Sequence, residues 1–333
     1  MSDKGEQAGF DYAGYFRRIR ELERLSVNAG EISWREKYEP PQRPVDVLLY
    51  LGCNVLITSH LAIEVVAVLK RLGIDFEAIG GPQFCCGIVH HSQGDLGAAT
   101  RLSAATVRKM ESYRAKTLIM WCPSCDLQFD EVVLPTVAKD FAPTITHATQ
   151  FLADRVNELP WQIPVHSRVA VHTHVGHSRQ ERDANAALSL LNAVPGVELV
   201  GTVASGDLGY HCPTPPTPAA RRVFLAERQR LAAGALALGA DTVVTLYHSC
   251  QREWCDMQSE QLAIRNYISI VAESLGCGAE DRYTKLRQLR NADEIVAASH
   301  EQWSSHGWDA ARASKVAGSV FPNSSPRYPT TNG

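Results

Sequence analysis

Five cysteines lie within the first 125 residues of this 333-residue chain, in three separate groups. They are Cys53, the adjacent pair Cys85 and Cys86, and the Cys122 and Cys125 of a Trp-Cys-Pro-Ser-Cys segment. Thirty-one residues separate the first group from the pair, and thirty-five separate the pair from the third group. Each group follows a predicted strand or opens a predicted helix. In a parallel sheet such loops lie along one edge, where ligands usually bind.

Thiolates are soft ligands that select zinc, copper(I) or iron–sulfur clusters. Cys122 and Cys125 at the start of a helix direct two thiolates and free backbone N–H groups to one point, which favours an anionic cluster. A cubane cluster and a tetrahedral zinc ion both take four ligands, so five cysteines are one too many. Either one thiol is free for chemistry, or the cluster is not a simple cubane. The neighbours Cys85 and Cys86 should diverge, which fits different irons of an extended cluster. A zinc site with a spare cysteine and ordinary buried cysteines are the alternatives.

Strands and helices alternate along the first half of the chain. The apolar run at 45–52 is typical of a parallel strand covered on both faces. Further strands are predicted at 74–79 and 117–121, with helices at 59–72 and 95–113.

The same order recurs from residue 168, with strands predicted at 169–175 and 196–201 and a helix at 219–238. The segment 241–250 matches 116–125, which contains a predicted strand and the Cys-x-x-Cys segment. Two successive β-α-β-α-β units predict the α/β class, with tandem repeats and largely parallel sheets. The predicted division is an N-terminal amphipathic helix and linker (1–44), a first copy (45–160), a second copy (165–292) and an extended, irregular C-terminal tail (293–333).

The composition restricts the compartment and the partners. A net charge of -3 and a pI near 6.5 give no footprint for nucleic acid or an anionic membrane. The N-terminal segment lacks the apolar core of a secretory signal, and no run approaches the roughly 18 apolar residues of a membrane span. A cytoplasmic location is therefore predicted. Nine cysteines in a reducing compartment indicate metal binding or catalysis rather than disulfides.

The pattern Cys-x31-Cys-Cys-Gly-x34-Cys-Pro-Ser-Cys resembles the cysteine-rich CCG domain found in the B-type subunits of heterodisulfide reductase. Related domains occur in glycolate oxidase and lactate-utilisation iron–sulfur subunits. The resemblance covers about residues 45 to 290, since that family has two tandem copies. It implies a non-cubane [4Fe–4S] cluster, two smaller iron–sulfur units that share an iron. Carried over, the ligands are Cys53, Cys85, Cys86, Cys122 and Cys125.

The resemblance also implies an activity and partners. The chain would be the B-type subunit of a heterodisulfide-reductase-like complex, such as that of sulfur-oxidising bacteria, and would act on a thiol, disulfide or persulfide substrate or on a sulfur-carrier protein. Because no Gly-x-Gly-x-x-Gly nucleotide fingerprint follows a strand, electrons would come from a ferredoxin-like iron–sulfur subunit and a flavoprotein subunit. An electron-relay or assembly subunit without its own substrate, and a zinc-stabilised scaffold, are the rival functions.

The second copy departs from the cysteine pattern. Val175 stands where the first cysteine should be, His211 and Cys212 replace the pair, and Tyr247-His-Ser-Cys250 replaces the Cys-x-x-Cys. An identical second cluster is therefore not expected. His174 (or His172), His211, Cys212 and Cys250 should converge on the equivalent pocket, where mixed ligands suit zinc or an altered second cluster. The alternative is a vestigial pocket with ordinary polar histidines.

His90 and His91 follow the Cys-Cys-Gly motif and are the candidate catalytic residues. An imidazole near the cluster could donate a proton to a cleaved thiolate near neutral pH. A solvated loop is the alternative, because nothing in the sequence fixes either ring.

Overall fold

The computed structural model describes residues 10–206, 212, 217–289 and 291–321. It contains two four-stranded sheets, both entirely parallel, with the orders β2-β1-β3-β4 and β6-β5-β7-β8. The strands are β1 (Val47–Gly52), β2 (Phe76–Gly80), β3 (Thr117–Met120), β4 (Thr144–His147), β5 (Ser167–His174), β6 (Val197–Ser205), β7 (Thr242–Thr245) and β8 (Ala263–Asn266). The helices are α1 (Tyr12–Ser26), α2 (Ser59–Arg71), α3 (Ile88–Ser92), α4 (Leu96–Ser112), α5 (Pro123–Gln128), α6 (Leu134–Thr136), α7 (Ala148–Ala153), α8 (Ser178–Ala193), α9 (Pro218–Ala237), α10 (His248–Trp254), α11 (Tyr267–Ser274), α12 (Arg282–Gln288), α13 (Ala292–Ala298), α14 (His300–Ser305) and α15 (Ala310–Val320).

The two sheets have the same strand order, which confirms the predicted α/β class and its internal repeat. Each sheet has one more strand than the sequence pattern predicted. The additional strands, β4 and β8, have four residues each and lie at sheet edges. Strands this short carry little periodicity, so the sequence pattern does not indicate them. The predicted domain boundaries stay predictions.

Strand β1 occupies the interior of the first sheet and is buried along its whole length. Successive side chains of a strand point to opposite faces. Leu49 and Leu51 therefore pack in the core shared with the second sheet, while Leu48 and Tyr50 pack in a separate core on the other face. Burial on both faces explains the uninterrupted apolar sequence of this strand.

The predicted N-terminal amphipathic helix is present as α1. The Asp11 side chain caps α1 by accepting a hydrogen bond from the Gly14 N–H at 2.8 Å. The linker that follows adds a bridge to the outer edge of β2: the Arg35 N–H donates to the Ala78 carbonyl at 2.8 Å, and the Gly80 N–H donates to the Arg35 carbonyl at 3.1 Å. This pairing covers an otherwise open sheet edge.

The expectation of an extended tail from residue 293 is wrong for the segment up to Val320, because most of that segment is helical. Three short helices, α13 to α15, bury Ile295, Trp303 and Val316. They hold α1 in place, since Arg18 donates to the Val320 carbonyl at 2.9 Å and a His306 ring nitrogen lies 2.9 Å from the Val27 carbonyl. Helices α13 and α14, with seven and six residues, are too short for their apolar spacing to stand out in sequence, and α15 consists largely of alanine, serine and glycine. Residues 322–333 lie outside the described residues.

The two sheets are joined through helices α2 and α11, which pack against each other. The buried carboxylate of Glu64 on α2 accepts hydrogen bonds from the Ser269 hydroxyl at 2.6 Å and the Ala279 N–H at 3.1 Å. One apolar core therefore continues from the first sheet into the second. Among the helices of the described residues, none combines the length and the apolar character that a membrane crossing requires.

The pair Glu23 and Glu36 generates a testable pH dependence. Burial, and then the neighbouring Glu36 carboxyl, raise the pKa of Glu23 from 4.5 to about 9. The folded state therefore favours the protonated acid, so this group costs little stability below pH 4.5 and increasingly destabilises the fold as the pH rises towards 9. Because Glu23→Gln stays neutral, its melting temperature relative to the wild type should rise across this window.

Thermal unfolding of both proteins over that pH range tests the effect. Glu39→Gln is the control. Glu39 lies in the linker that carries Glu36, and its side chain is 72% exposed, so this variant should show no such trend. A constant difference between Glu23→Gln and the wild type would contradict the assignment.

Candidate metal-binding site

The five cysteines of the first sheet meet at the carboxyl ends of three adjacent strands, and we call them the five-cysteine site. Cys53 directly follows β1, and Cys85 and Cys86 follow β2 after one short turn. Cys122 follows β3 and is the N-cap of α5, which places Cys125 in the first turn of that helix. All five side chains are buried, with at most 5% of any residue exposed.

The sulfur atoms contact one another in a continuous chain. Cys85 shares hydrogen bonds with Cys53 and with Cys86, and Cys86 shares a second one with Cys125. Cys122 and Cys125 also share a hydrogen bond. The adjacent Cys85 and Cys86 therefore contact each other, which differs from the expected divergence of their side chains, and each has one further sulfur partner.

The protons of this site are unevenly distributed. Hydrogen bonds from Cys53 and Cys86 lower the pKa of Cys85, and a hydrogen bond from Cys125 lowers the pKa of Cys122. The same bonds, with burial, raise the pKa of Cys53 and of Cys125. Five buried thiolates would repel one another strongly, so the site needs either shared protons or bound metal cations.

The glycine of the Cys-Cys-Gly motif has two structural functions. Gly87 has a φ of +85°, and a Cβ there would lie 2.7 Å from the Ala99 carbonyl and the Ser103 hydroxyl of α4. Its N–H donates to the Cys85 Sγ at 3.4 Å. The Ser103 hydroxyl in turn donates to the Cys86 carbonyl at 2.9 Å. Close packing on α4 therefore fixes the direction of both cysteines, and only glycine fits.

Gly52, directly before Cys53, keeps space open inside the five-cysteine site. Its φ is +78°, and a Cβ at this position would lie 3.1 Å from both the Cys122 Cβ and the Cys125 Sγ. The backbone of β1 can therefore approach the Cys-x-x-Cys loop closely only if residue 52 has no side chain.

The candidate catalytic histidines lie on α3, a short helix and not a solvated loop. The ring of His90 stacks on Tyr12 of α1 with a centroid distance of 3.8 Å, and its Nδ1 lies 3.5 Å from a carboxylate oxygen of Asp95. His90 also contributes to the lowered pKa of Cys85. The structure therefore fixes the His90 ring beside the site. His91 is only half-buried. A catalytic role for either residue stays a prediction.

Two further side chains from distant segments lie beside the five cysteines. His248, at the start of α10 in the second half of the chain, is buried and helps to lower the pKa of Cys122. Tyr15 of α1 accepts a hydrogen bond from Asn54 at 2.7 Å and lies close enough to Cys53 to interact with it electrostatically. Helical periodicity predicted α1 but not what it covers, so the sequence carried no signal for Tyr15. The match of Tyr247-His-Ser-Cys250 to the Cys-x-x-Cys segment was the available signal for His248.

Comparison with protein families gives a match over about a quarter of the chain. Residues 47–130 match the model of the CCG family, a cysteine-rich domain. We refer to this matched segment as the CCG domain. The match spans all five cysteines and the two glycines that shape their site.

The similarities that extend beyond this domain are weaker. The D subunit of a Methanosarcina barkeri dihydromethanophenazine:CoB–CoM heterodisulfide reductase is 25% identical over 243 residues, covering 69% of this chain and 59% of the relative. The Methanosarcina mazei protein of the same name is 24% identical with the same coverage. The chain thus spans about three fifths of the length of these relatives. A solved hypothetical protein of Helicobacter pylori aligns with a TM-score of 0.48 at 11% identity, covering 84% of this chain and 57% of that one.

Outside the CCG domain, the second sheet brings together a compact set of four donors, which we call the His–Cys site. It consists of His172, His174, Cys212 and Cys250, all buried, with ligand atoms within 4.8 Å of one another. The sequence predicts that His174, Cys212 and Cys250 converge, with His172 as the alternative to His174. The fourth predicted member, His211, lies outside the described residues.

Gly52→Ala separates the space requirement of the CCG domain from ordinary backbone strain. A non-glycine residue in the left-handed region costs about 1–2 kcal/mol. Gly73 also has a positive φ, of +67°, but no atom lies within 4 Å of its ideal Cβ. We expect Gly73→Ala to lose only this stability, whereas Gly52→Ala should lose more and should also displace Cys122 and Cys125.

Denaturant unfolding measures the first effect, and iron content after anaerobic purification measures the second. Equal stability and equal iron in the two variants would show that the approach of Gly52 to Cys125 is not required.

Proposed function

We propose that the chain is an iron–sulfur redox subunit of a heterodisulfide-reductase-like complex, with one non-cubane [4Fe–4S] cluster bound by Cys53, Cys85, Cys86, Cys122 and Cys125. The observation that carries this proposal is the convergence of five buried sulfur atoms within a matched CCG domain. Five thiols exceed the four that a cubane or a zinc ion takes. The first CCG domain is proposed at 45–160 and a second, degenerate copy at 165–292.

The donor set suits a group with more than one metal ion. Besides contacting each other, Cys85 and Cys86 each have a different further sulfur partner, Cys53 and Cys125, which suits ligands to different irons of an extended cluster. When bound, such a cluster supplies one-electron redox chemistry and iron to which a substrate sulfur can bind. The N–H of Gly87 would remain a hydrogen-bond donor to the Cys85 sulfur, an interaction that tunes the reduction potential of such groups.

The residues around the five cysteines control solvent and protons. Helix α1 covers the Cys53 side, where burial raises the pKa of Tyr15 and keeps its phenol neutral. His90 is held by Tyr12 and Asp95, in a position to exchange a proton with a sulfur substrate near Cys85. His248 provides a second imidazole, on the Cys122 side.

The relatives support the complex and the substrate class. They are named as heterodisulfide reductase subunits, and this chain aligns with about three fifths of their length. We therefore propose a thiol, disulfide or persulfide substrate, free or on a sulfur-carrier protein. Electrons would be exchanged with a ferredoxin-like iron–sulfur subunit and a flavoprotein subunit. The proposed location is cytoplasmic.

A series of single Cys→Ser variants tests the five-ligand proposal. The wild type purified without oxygen should contain about four irons per chain in this site. If all five thiols are ligands, each of the five substitutions should lower the iron content and change the EPR spectrum. Cys277→Ser, at a half-buried cysteine elsewhere, is the control and should keep both.

The same series separates the alternatives. Full iron content in one of the five variants would indicate a four-ligand cubane with a spare thiol. A colourless wild type with zinc and no iron would contradict the proposal. For a cluster that binds substrate, adding a thiol or disulfide should change its EPR signal, whereas a pure electron relay should not respond.

A further inference from the structure

The His–Cys site occupies the same position in the second sheet as the five-cysteine site occupies in the first. Strand β1 begins to pair with β3 at Val47, and strand β5 begins to pair with β7 at Val169. Counted from them, Gly52 corresponds to His174, and the cysteine after Gly52 corresponds to Val175. Val175 is 49% exposed and does not enter the pocket.

The replacement of glycine by histidine fills the space that a cluster would need. In the first sheet a single Cβ at position 52 would already meet the Cys125 sulfur at 3.1 Å. In the second sheet the imidazole of His174 projects into the equivalent region, and its Nε2 lies 3.2 Å from the Cys250 sulfur. The second pocket is therefore contracted around its donors and does not resemble the five-cysteine site.

The ligand atoms of all four donors lie within 4.8 Å of one another, and the two distances from His174 to the sulfurs are close to those around a single ion. A tetrahedral zinc ion with Zn–S bonds of about 2.3 Å and Zn–N bonds of about 2.0 Å places neighbouring ligand atoms about 3.3–3.8 Å apart. The His174 Nε2 lies 3.2 Å from the Cys250 Sγ and 3.8 Å from the Cys212 Sγ. His172 and His174 are two residues apart in β5, so both side chains point to the same face of the sheet.

Among the described residues of the site, His172 has a buried ring nitrogen without a well-formed hydrogen bond. Its Nε2 lies 2.7 Å from the Ser205 hydroxyl, whereas its buried Nδ1 has no hydrogen-bond partner of good geometry within the described part of the chain. A ring nitrogen of His172 lies within 4.8 Å of the Cys212 and Cys250 sulfurs, so the ring faces the sulfur donors. A buried polar atom of this kind requires an explanation, and an ion is one.

Outer hydrogen bonds hold the donors in place. Ligating histidines usually bond their second nitrogen to an outer group, which fixes the ring. Ser205 has that position for His172, and the Trp254 indole N–H donates to the Cys212 sulfur at 3.3 Å. The surroundings of the four donors therefore match those of a bound metal ion.

Charge balance favours a dication at this position. Two buried thiolates without a counter-charge would be costly, and neutral imidazoles do not offset them. A divalent ion gives two thiolates and two neutral histidines a net charge of zero. Binding would release the two thiol protons to solvent, so no oxidant or reductant is needed.

We propose that His172, His174, Cys212 and Cys250 bind one Zn²⁺ ion in a closed tetrahedral site that takes the place of a second cluster. The ion has a structural role. It joins β5 and α10 to the segment that carries Cys212, between β6 and α9. Four protein ligands leave no open position for a substrate, unlike catalytic zinc. The assignment does not depend on the iron–sulfur proposal for the first sheet.

Metal analysis and zinc K-edge X-ray absorption on the full chain test the assignment. Protein from a zinc-supplemented culture, purified without oxygen, should contain about one zinc per chain, with two sulfurs near 2.3 Å and two nitrogens near 2.0 Å. The method is element-specific, so iron in the other site does not interfere. His172→Ala and Cys250→Ala each remove a proposed direct ligand, so each should lower zinc affinity by at least the ten- to hundredfold loss that follows removal of an outer hydrogen-bond partner, and should leave the iron content unchanged. Cys255→Ala, which removes another buried thiol close in sequence, should keep both metals.

Three results would overturn the zinc assignment. They are a wild type without stoichiometric zinc, an absorption spectrum with only sulfur ligands, and about eight irons per chain, which would indicate a second cluster. The wild-type measurements need no variant, so misfolding of Cys250→Ala cannot mask the outcome. Loss of iron with zinc retained would contradict the proposed function and leave this site intact.

Discussion

The burial of ionisable sulfur atoms is the constraint on which the rest of the structure depends. A thiolate in a protein interior is costly unless protons, hydrogen bonds or cations compensate its charge. The first sheet places five such groups within mutual contact, with the pKa values of Cys85 and Cys122 lowered and those of Cys53 and Cys125 raised. Thiolates that converge in this way are typical of a site for metal cations, whose charge compensates theirs.

Parallel sheets make this concentration of ligands achievable. The carboxyl ends of neighbouring strands lie along one edge, so three loops that are far apart in sequence open onto the same space. Two glycines then set the details, since Gly52 leaves room next to Cys125 and Gly87 turns the cysteine pair over α4. The chemistry of the site thus depends on backbone positions that carry no side chain.

The second sheet shows how one architecture can accommodate a different donor set. Its strand order is the same as in the first sheet, yet His174 stands at the position of Gly52. The imidazole of His174 occupies the space that Gly52 leaves open in the first sheet. The second pocket is therefore smaller, and its four donor atoms lie within 4.8 Å of one another. The two sites remain neighbours, because His248, two residues before Cys250, lies beside Cys122 of the first sheet.

The sequence by itself determined the fold class, the internal repeat and the grouping of the cysteines at strand ends. These features depend on local periodicity and on spacing along the chain, which any reader of the sequence can measure. The tertiary structure decided the rest. The edge strands β4 and β8 and the helices α13 and α14 are too short to show a period, and α15 consists largely of small residues. The stability of these elements comes from packing on elements far away in sequence. The coverage of Cys53 by Tyr15, the position of His248 beside Cys122 and the burial of the His172 ring against Cys250 are likewise contacts between distant residues, and such contacts exist only once the chain has folded.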